Sequence, residues 1–242
     1  MKILLLTIFS HNYVFNEMLK IQRKYIHHNK NIDVYFVTFD EEMTEDIKIN
    51  NDIIYVKGKE SNITILYKTI KSLDHIINTL GEKYDYIVRS NISTIINLNN
   101  LYSYLSTSPK TNLYTGGKLE IIHWELSPNE ISEYKQDQRN KFFGLKFIQG
   151  IGIILSYDIV KQILNDANSI EYDIVDDVKL GLIIRDKFPE IYNNISNTSL
   201  ANVSYYHITK ESIFIRNKNN YNNDRLNDIN NMLNIVYKLY NV

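Results

Sequence analysis

Three polar clusters stand where the sequence predicts that a strand ends or a helix begins. They are Thr7–His11, Arg89–Thr94 and Asp173–Val178. In open α/β sheets, ligands bind beyond the carboxyl ends of the strands, so the first two clusters are candidate ligand contacts. The third cluster precedes a helix and places Asp176 and Asp177 in its first turn, where the helix dipole favours anions. On this pattern alone, the acidic pair can be structural as well as functional.

The elements around these clusters alternate between strands and helices in the first third of the chain. Continuous apolar or β-branched runs predict strands, and apolar residues spaced by three and four predict helices. The predicted strands are Lys2–Phe9, Asp33–Phe39, Asp52–Val56 and Tyr84–Val88, and the predicted helices are Asn12–His28 and Thr64–Leu80. Because the strands are separated by helices, we predict an α/β fold with a mostly parallel central sheet flanked by helices.

The second half of the chain is less regular. The predicted strands are Asn112–Gly117, Leu119–His123, Phe147–Leu155, Asn202–His207 and Ser212–Arg216, and the predicted helices are Tyr157–Ala167, Asp176–Asp186 and Asn227–Tyr240. Residues 125–145 are polar and are predicted to form a loop or a lid. With only 3 Pro and 8 Gly, no flexible linker is visible, so we predict one domain over residues 1–242.

Composition argues against several classes of function. The net charge of −1 lacks the basic surplus of a general nucleic-acid binder. The absence of Cys excludes disulfides, thiolate zinc sites and thiol nucleophiles. No run reaches the ~18 apolar residues of a membrane span, and the apolar start of the chain is short, with no small-residue cleavage site after it. We therefore expect a soluble, cytoplasmic protein (in the host cytoplasm if the source is a virus), whose oligomeric state stays open.

Several segments, in the same order along the chain, resemble one group of GT-A glycosyltransferases. Residues 84–98 (YDYIVRSNISTIINL) resemble the strand and DxD segment of the fringe and β-1,3-galactosyltransferase group, approximately KYDYVLKTDDDTFVNL. Residues 149–158 (QGIGIILSYD) are similar to its GGGYVLSRD, and residues 176–181 (DDVKLG) to its E/D-D-V-x-x-G. His207 stands in the place of a late family histidine. The chain is also similar to small bacterial and giant-virus glycosyltransferases with R-[ST]-N-x-S in place of DxD.

The resemblance implies a Rossmann-like GT-A fold, a nucleotide-sugar donor and a glycan or glycosylated acceptor. In the inverting mechanism that it implies, an acceptor hydroxyl attacks the anomeric carbon and a carboxylate removes the hydroxyl proton. Asp177 matches the family's proposed base, and Asp176 could position it or accept a sugar hydroxyl. The expected donor contacts are Thr7, Phe9, Ser10, Lys68, Arg89, Asn91 and Ser93, and the expected acceptor contacts are Trp124, Gly150 and Gly152.

The central departure from the family lies in its metal-binding motif. The three acidic positions are Asn91, Ile92 and Ser93 in this chain. A hard cation prefers carboxylate oxygens, so an amide and a hydroxyl would bind it much more weakly. The metal ligands are therefore unknown, and a need for Mn²⁺ or Mg²⁺ stays open. The groups that could meet the phosphate charge instead are Lys68, Arg89, His207, Lys210 and Arg216.

The loss of the metal carboxylates leaves a second hypothesis open. The chain could be a degenerate family member that binds a nucleotide or a glycan without catalysis, as a partner subunit. The retained pair Asp176 and Asp177 argues against it, because a fold without catalysis has no need of a base. Single residues also have structural explanations: Gly150 and Gly152 can permit close strand packing, and Trp124 can belong to the core.

Overall fold

The computed structural model describes residues 1–195, 200–202, 211–218 and 225–242. The strands are β1 Ile3–Ile8, β2 Ile32–Asp40, β3 Ile47–Asn50, β4 Ile53–Lys57, β5 Tyr86–Asn91, β6 Thr94–Ile96, β7 Tyr114–Gly116, β8 Leu119–Ile121, β9 Lys146–Ile148, β10 Gly152–Ser156, β11 Ala201–Asn202 and β12 Phe214–Arg216. The α-helices are α1 Tyr13–Arg23, α2 Ile65–Asp74, α3 Leu98–Ser106, α4 Tyr157–Asn165, α5 Asp176–Lys187, α6 Pro189–Asn193 and α7 Arg225–Tyr240.

The largest sheet has seven strands in the order β3-β4-β2-β1-β5-β10-β7. Strands β4, β2, β1 and β5 pair in parallel, whereas β3 and β10 run antiparallel to their neighbours. Because β7 is antiparallel to β10, it points the same way as β5. The predicted α/β fold with a mostly parallel central sheet is thus confirmed. The extent of the domain over residues 1–242 stays a prediction.

The middle of this sheet is covered on both faces. Every residue of β1 is buried. One face packs against α1, α3 and α7, and the other packs against α2, α4 and α5. A strand covered on both faces needs apolar side chains at consecutive positions, which explains the continuous apolar run at the start of the chain.

Two smaller sheets flank the large one, with the strand orders β11-β12-β6 and β8-β9. Strand β6 follows β5 after a turn at Ile92 and Ser93, so the chain passes directly from the large sheet to a small one. The prediction of a single strand over Phe147–Leu155 is wrong, because β9 and β10 belong to different sheets. Apart from Lys146 at the start of β9, both strands are buried and consist of apolar residues, glycine and a serine, so the sequence pattern alone does not reveal the turn between them.

The remaining differences concern element ends and short elements. The predicted helix Asn12–His28 is α1 followed by a separate 3₁₀ turn at Ile26–His28. The predicted loop 125–145 contains a 3₁₀ helix at Glu133–Phe142. The predicted strand Asn202–His207 lies outside the described residues from position 203 onward. Among the described helices, none is long and apolar enough to cross a membrane.

Candidate active site

Asp177 lies in the first turn of α5, where both of its carboxylate oxygens accept hydrogen bonds. The Gly150 N–H donates to Oδ2 at 3.0 Å, and the Val178 N–H donates to Oδ1 at 2.9 Å. Gly150 belongs to the turn between β9 and β10, so the first bond joins the helix to the turn that leads into β10 of the large sheet. The Asp177 side chain is half-buried, and these two contacts fix its orientation.

The neighbouring Asp176 is paired with Arg89. The Arg89 Nη2 forms an ion pair with Asp176 Oδ2, and Arg89 Nη1 donates to the Gly150 carbonyl at 2.6 Å. Both side chains are buried. Within the described part of the chain, Arg89 Nε is also buried and has no hydrogen-bond partner. The polar contacts described for Arg89 are therefore internal to the protein.

The two adjacent carboxylates have different electrostatic surroundings. Burial is the largest cause that raises the pKa of Asp177, and the nearby charge of Asp176 raises it further, to about 6. The Gly150 N–H, the positive charge of Arg89 and the Val178 N–H oppose this shift of the pKa but do not cancel it. A carboxylate with a pKa of about 6 is ionised at neutral pH and is a much better proton acceptor than an ordinary aspartate.

The segment Asn91–Ser93 comprises the last residue of β5 and the two-residue turn that leads to β6. Its backbone is held on several sides: the Ile92 N–H donates to Ile8 O, and the Asn217 N–H donates to Ser93 O. Asn91 is half-buried and Ser93 is buried. The turn therefore lies at the carboxyl end of the central strands, as the sequence predicted, but its serine side chain is turned away from solvent.

Gln22 of α1 is a residue of this region that the sequence reasoning missed. Its buried Nε2 donates to the carbonyls of Ile92 and Thr94, at 2.9 and 2.8 Å, and so anchors both ends of the turn. The available signal was its place four residues after Met18, on the apolar face of the predicted helix. A polar residue at such a position is expected to have buried partners.

The donor set in this region does not fit a divalent cation held by the protein. Asn91 and Ser93 offer neutral oxygens, and the Asp176 carboxylate is occupied by Arg89. In the described ranges, no group of three or more His, Cys, Asp or Glu side chains could hold a metal ion. Divalent cations are normally bound through carboxylates, so a cation here would depend on ligands from another source.

The predicted donor contacts at the end of β1 are mostly packed inside the protein. Thr7 and Phe9 are buried, whereas Ser10 is half-buried. Lys68 is buried too, and its Nζ donates to the Phe9 carbonyl at 2.8 Å and to both carboxylate oxygens of Glu60, at 2.7 and 2.8 Å. The structure thus brings Lys68 to the end of β1, but its ammonium group is bound within the protein.

Arg216 ends β12, directly opposite Thr94 in the three-stranded sheet. Burial lowers the pKa of Arg216 to about 10, and the positive charge of Arg89 contributes. In the described part of the protein, its buried Nη1 has no hydrogen-bond partner. Lys218 was missed by the sequence reasoning; it lies two positions further along, beyond the end of β12, and is exposed. Partial burial lowers the pKa of Lys218, and the charges of Arg216 and Arg225 add to this effect.

The predicted acceptor contacts do not share one environment. Trp124 packs half-buried against the apolar cluster that contains Val178, and its ring meets the His123 ring edge to face at 5.0 Å. Gly152 instead faces the core: a Cβ there would lie 2.4 Å from the Phe214 ring. Close packing therefore accounts for Gly152, whereas Gly150 contacts the Asp177 and Arg89 side chains directly. The predicted phosphate contacts His207 and Lys210 lie outside the described residues.

A third acidic residue, Asp173, precedes α5 and anchors the loop that the sequence predicted as a lid. Its Oδ1 accepts from Lys179 Nζ at 2.7 Å, and its Oδ2 is paired with Lys135 of the loop. The Ser132 N–H also donates to the Asp173 carbonyl at 2.7 Å. Burial alone would raise the pKa of Asp173, but the hydrogen bonds from Lys135 and Lys179 outweigh it and lower this pKa. The loop is thus attached to the segment that leads into the acidic pair.

The comparisons with known proteins identify the family of this chain. An α/β protein with a carboxylate at the start of a helix and cationic groups near its strand ends could serve several reactions of phosphorylated substrates. The Galactosyltransferase family model matches residues 29–222, which is most of the chain. The chain therefore belongs to the galactosyltransferase family, a family of transferases. No curated protein gives a match.

Solved structures give weaker similarities. The apo form of the glycosyltransferase GlyE from Streptococcus pneumoniae TIGR4 is 11% identical, with a TM-score of 0.41 over 98% of this chain and 64% of that chain. The inositol-1-phosphate CTP transferase from T. maritima is 12% identical, with a TM-score of 0.38 over 76% of this chain and 80% of that chain. The 2-C-methyl-D-erythritol 4-phosphate cytidylyltransferase of Francisella tularensis is 10% identical, with a TM-score of 0.36 over 77% and 87%. The identification therefore rests on the family match.

Proposed function

We propose that this chain transfers a sugar from a nucleotide-sugar donor to a hydroxyl group of a glycan or glycosylated acceptor, with Asp177 as the general base. The single observation that carries the proposal is the state of the Asp177 carboxylate. It is half-buried, held by two backbone N–H groups, and has its pKa raised to about 6 by burial and by the charge of Asp176. Membership of the galactosyltransferase family supports the class of reaction.

The proposed step is an inverting displacement at the anomeric carbon. The acceptor oxygen forms a bond to this carbon while the bond to the diphosphate oxygen breaks, and the leaving diphosphate takes that electron pair. The acceptor proton passes to the Asp177 carboxylate, so charge and atoms balance. A base is most effective when its pKa lies near the working pH, and a pKa of about 6 satisfies this condition close to neutrality.

The developing charge on the diphosphate needs a cationic partner. Arg216 is the best supported of the predicted cations, because its Nη1 has no hydrogen-bond partner in the described part of the chain. After burial, the charges of Arg89 and Asp177 also affect the pKa of Arg216. Lys68, by contrast, is bound to Glu60 and to the Phe9 carbonyl. We therefore assign the phosphate contact to Arg216, with Lys218 beside it, and derive no step through a metal ion.

The acceptor is proposed to approach the Asp177 carboxylate from the side of Trp124. The indole packs half-buried against the cluster that contains Val178, the residue next to Asp177. An aromatic face in that position can stack against a sugar ring, and its N–H can donate to a hydroxyl. Gly150 borders the same carboxylate through its N–H.

The proposal is tested with a panel of nucleotide sugars, by following release of the nucleoside diphosphate with and without added Mn²⁺. Asp177→Asn is expected to remove most turnover while calorimetry shows donor affinity close to that of the unmodified protein. Asp186→Asn is the matched control, since Asp186 is an exposed aspartate on the same helix that pairs with Arg185. Near-normal turnover in Asp177→Asn would exclude Asp177 as the base. Donor binding with no turnover in any protein would instead support the noncatalytic alternative.

A further inference from the structure

We propose that Arg89 is a positioning residue that orients the Asp177 carboxylate, and that it is not a ligand of the donor phosphates. This inference rests on the proposed role of Asp177 as the base. It gives Arg89 a different role from the phosphate contact that the sequence suggested. The evidence is a set of contacts that run from Arg89 to Asp177 by two separate routes.

The first route passes through one peptide group. Arg89 Nη1 donates to the Gly150 carbonyl at 2.6 Å, and the N–H of the same residue donates to Asp177 Oδ2 at 3.0 Å. The turn residue is therefore held at both its carbonyl and its N–H. A displacement of the guanidinium would shift Gly150, and with it one of the two hydrogen bonds that fix the base.

The second route passes through the first residue of α5. Arg89 Nη2 is paired with the buried carboxylate of Asp176, the residue directly before the base. This contact ties the first turn of the helix to β5 of the central sheet. An arginine is well suited to both routes at once, because its planar fork presents two parallel donors to separate acceptors.

The glycine at position 150 fits the same arrangement. A Cβ placed there would lie 2.5 Å from Arg89 Nη1 and 3.3 Å from Arg89 Cζ. A Cβ does not come closer than about 3 Å to an atom to which it is not bonded, so the guanidinium, held by its two contacts, occupies space that only glycine leaves open. Gly150 is thus needed by Arg89, whether or not it also borders an acceptor.

The charges that face Asp177 come from four elements. Asp176 of α5 raises the pKa of Asp177, and Arg89 of β5 lowers it. Burial lowers the pKa of Arg216 in β12 and raises that of Tyr114 in β7; the charge of Asp177 opposes the first shift and adds to the second. Loss of the Arg89 charge should therefore raise the pKa of Asp177, and loss of the Asp176 charge should lower it.

The decisive experiment measures the base directly and needs no substrate. The side-chain carboxyl ¹³C signal of Asp177, assigned by its absence in Asp177→Asn, is titrated with pH in each variant. Arg89→Met is expected to raise the pKa of Asp177 by about 1 unit, the usual effect of a charge within a few ångströms. Asp176→Asn is expected to lower it. Arg185→Met is the matched control, because Arg185 is an exposed arginine of α5 whose described ion pair is with Asp186, and it should leave the pKa unchanged.

The double variant Arg89→Met/Asp176→Asn guards against misfolding. Removal of one member of a buried ion pair leaves an unpaired charge, whereas removal of both avoids it. The pKa of Asp177 should return toward that of the unmodified protein in the double variant. If Arg89→Met and Asp176→Asn both leave this pKa unchanged, the positioning role is wrong, whatever the turnover of the enzyme.

A kinetic measurement separates positioning from phosphate binding. A positioning role predicts that Arg89→Met lowers kcat and shifts its pH midpoint upward, with the KM for the donor little changed. Arg89→Lys should recover only part of kcat, because an ammonium group cannot present the same fork. A phosphate ligand would instead give a higher donor KM and weaker calorimetric binding of uridine or guanosine diphosphate, with the pH midpoint unmoved. That second pattern would overturn the inference.

Discussion

Two aspartates near the start of α5 have opposite properties, although only three residues separate them. Asp173 is buried and paired with two lysines, which lower its pKa. Asp177 is half-buried and bound by two backbone N–H groups, and its pKa is raised to about 6 by burial and by Asp176. Burial raises the pKa of both groups, so the difference lies in the partners.

This comparison separates an anchor from a candidate base. Lysines in contact with Asp173 stabilise its ionised form so strongly that it has little tendency to accept a proton. The positive charge that lowers the pKa of Asp177 is that of Arg89, which is already engaged by Asp176. Asp177 therefore keeps the affinity for protons that the proposed reaction requires.

The largest expected effect comes from exchanging each aspartate for asparagine. Asp177→Asn should lower turnover by about 100- to 10,000-fold, because a general base contributes that much to the rate. Asp173→Asn should leave most of the turnover of the folded molecules, since the lysine pairs do not contact Asp177. Turnover per folded molecule, with the folded fraction measured by circular dichroism, checks the contrast. Equal losses in both variants would remove the distinction between base and anchor.

For the free energy of unfolding we expect the reverse order: Asp173→Asn should have a larger effect than Asp177→Asn. Asp173→Asn is expected to lower the free energy of unfolding by about 3 kcal/mol, because Lys135 and Lys179 lose their shared buried partner. The loop over residues 130–142 should then become more open to limited proteolysis, since its attachment through Lys135 and Ser132 is weakened. Urea unfolding and a protease time course test this, with Asp186→Asn as the surface control. A variant as stable as the unmodified protein would contradict the anchoring role.

The two aspartates should also oppose each other in the pH dependence of stability. Asp177 has a folded pKa near 6 and an unfolded value near ~3.9, so its contribution is full below about pH 4 and is lost as the pH rises through 6. Asp173 has a lowered folded pKa, so its contribution is present above about pH 4 and is lost as the pH falls. Because the two contributions oppose each other in the unmodified protein, urea unfolding from pH 3 to 8 should show stability rising more steeply between pH 4 and 6 in Asp177→Asn. An unchanged slope there would mean that the pKa of Asp177 is not raised.

The smallest expected effect concerns metal. Asn91 and Ser93 are neutral, so Mn²⁺ should bind the free protein with a dissociation constant of ~1 mM or weaker. Turnover in excess chelator should fall little, whereas Arg216→Gln should raise the donor KM, because Arg216 supplies the phosphate contact in this proposal. Tight Mn²⁺ binding to the free protein, or full loss of turnover in chelator with no effect of Arg216→Gln, would show that a metal ion, and not Arg216, neutralises the phosphate charge.

The sequence predicted the central elements because their patterns are local. The buried strands β1, β2 and β5 follow apolar or β-branched runs, and α5 begins at the predicted acidic pair. The single strand predicted over Phe147–Leu155 was wrong because two buried strands of different sheets share one apolar run. Hydrophobic patterning reports burial and does not report which sheet a strand joins.

The candidate site was predictable only as a set of residue types. The motifs indicated Asp177, Arg89 and Gly150, but their contacts depend on how α5 and the turn before β10 pack against β5. The sequence therefore could not distinguish an arginine that binds phosphate from one that pairs with Asp176. The sequence also could not predict the ion pair between Lys68 and Glu60, because the position of Lys68 in its helix does not determine which acidic residue it meets.

The close approach of Arg89 to Gly150 has a consequence for how related sequences can diverge. The guanidinium fills the space that a side chain at position 150 would need. An alanine at position 150 is therefore compatible only with a shorter or displaced residue at position 89, and an arginine in the present position permits only glycine at position 150. The two positions should therefore change together during evolution. A lineage that gains the arginine at position 89 should already have glycine at position 150.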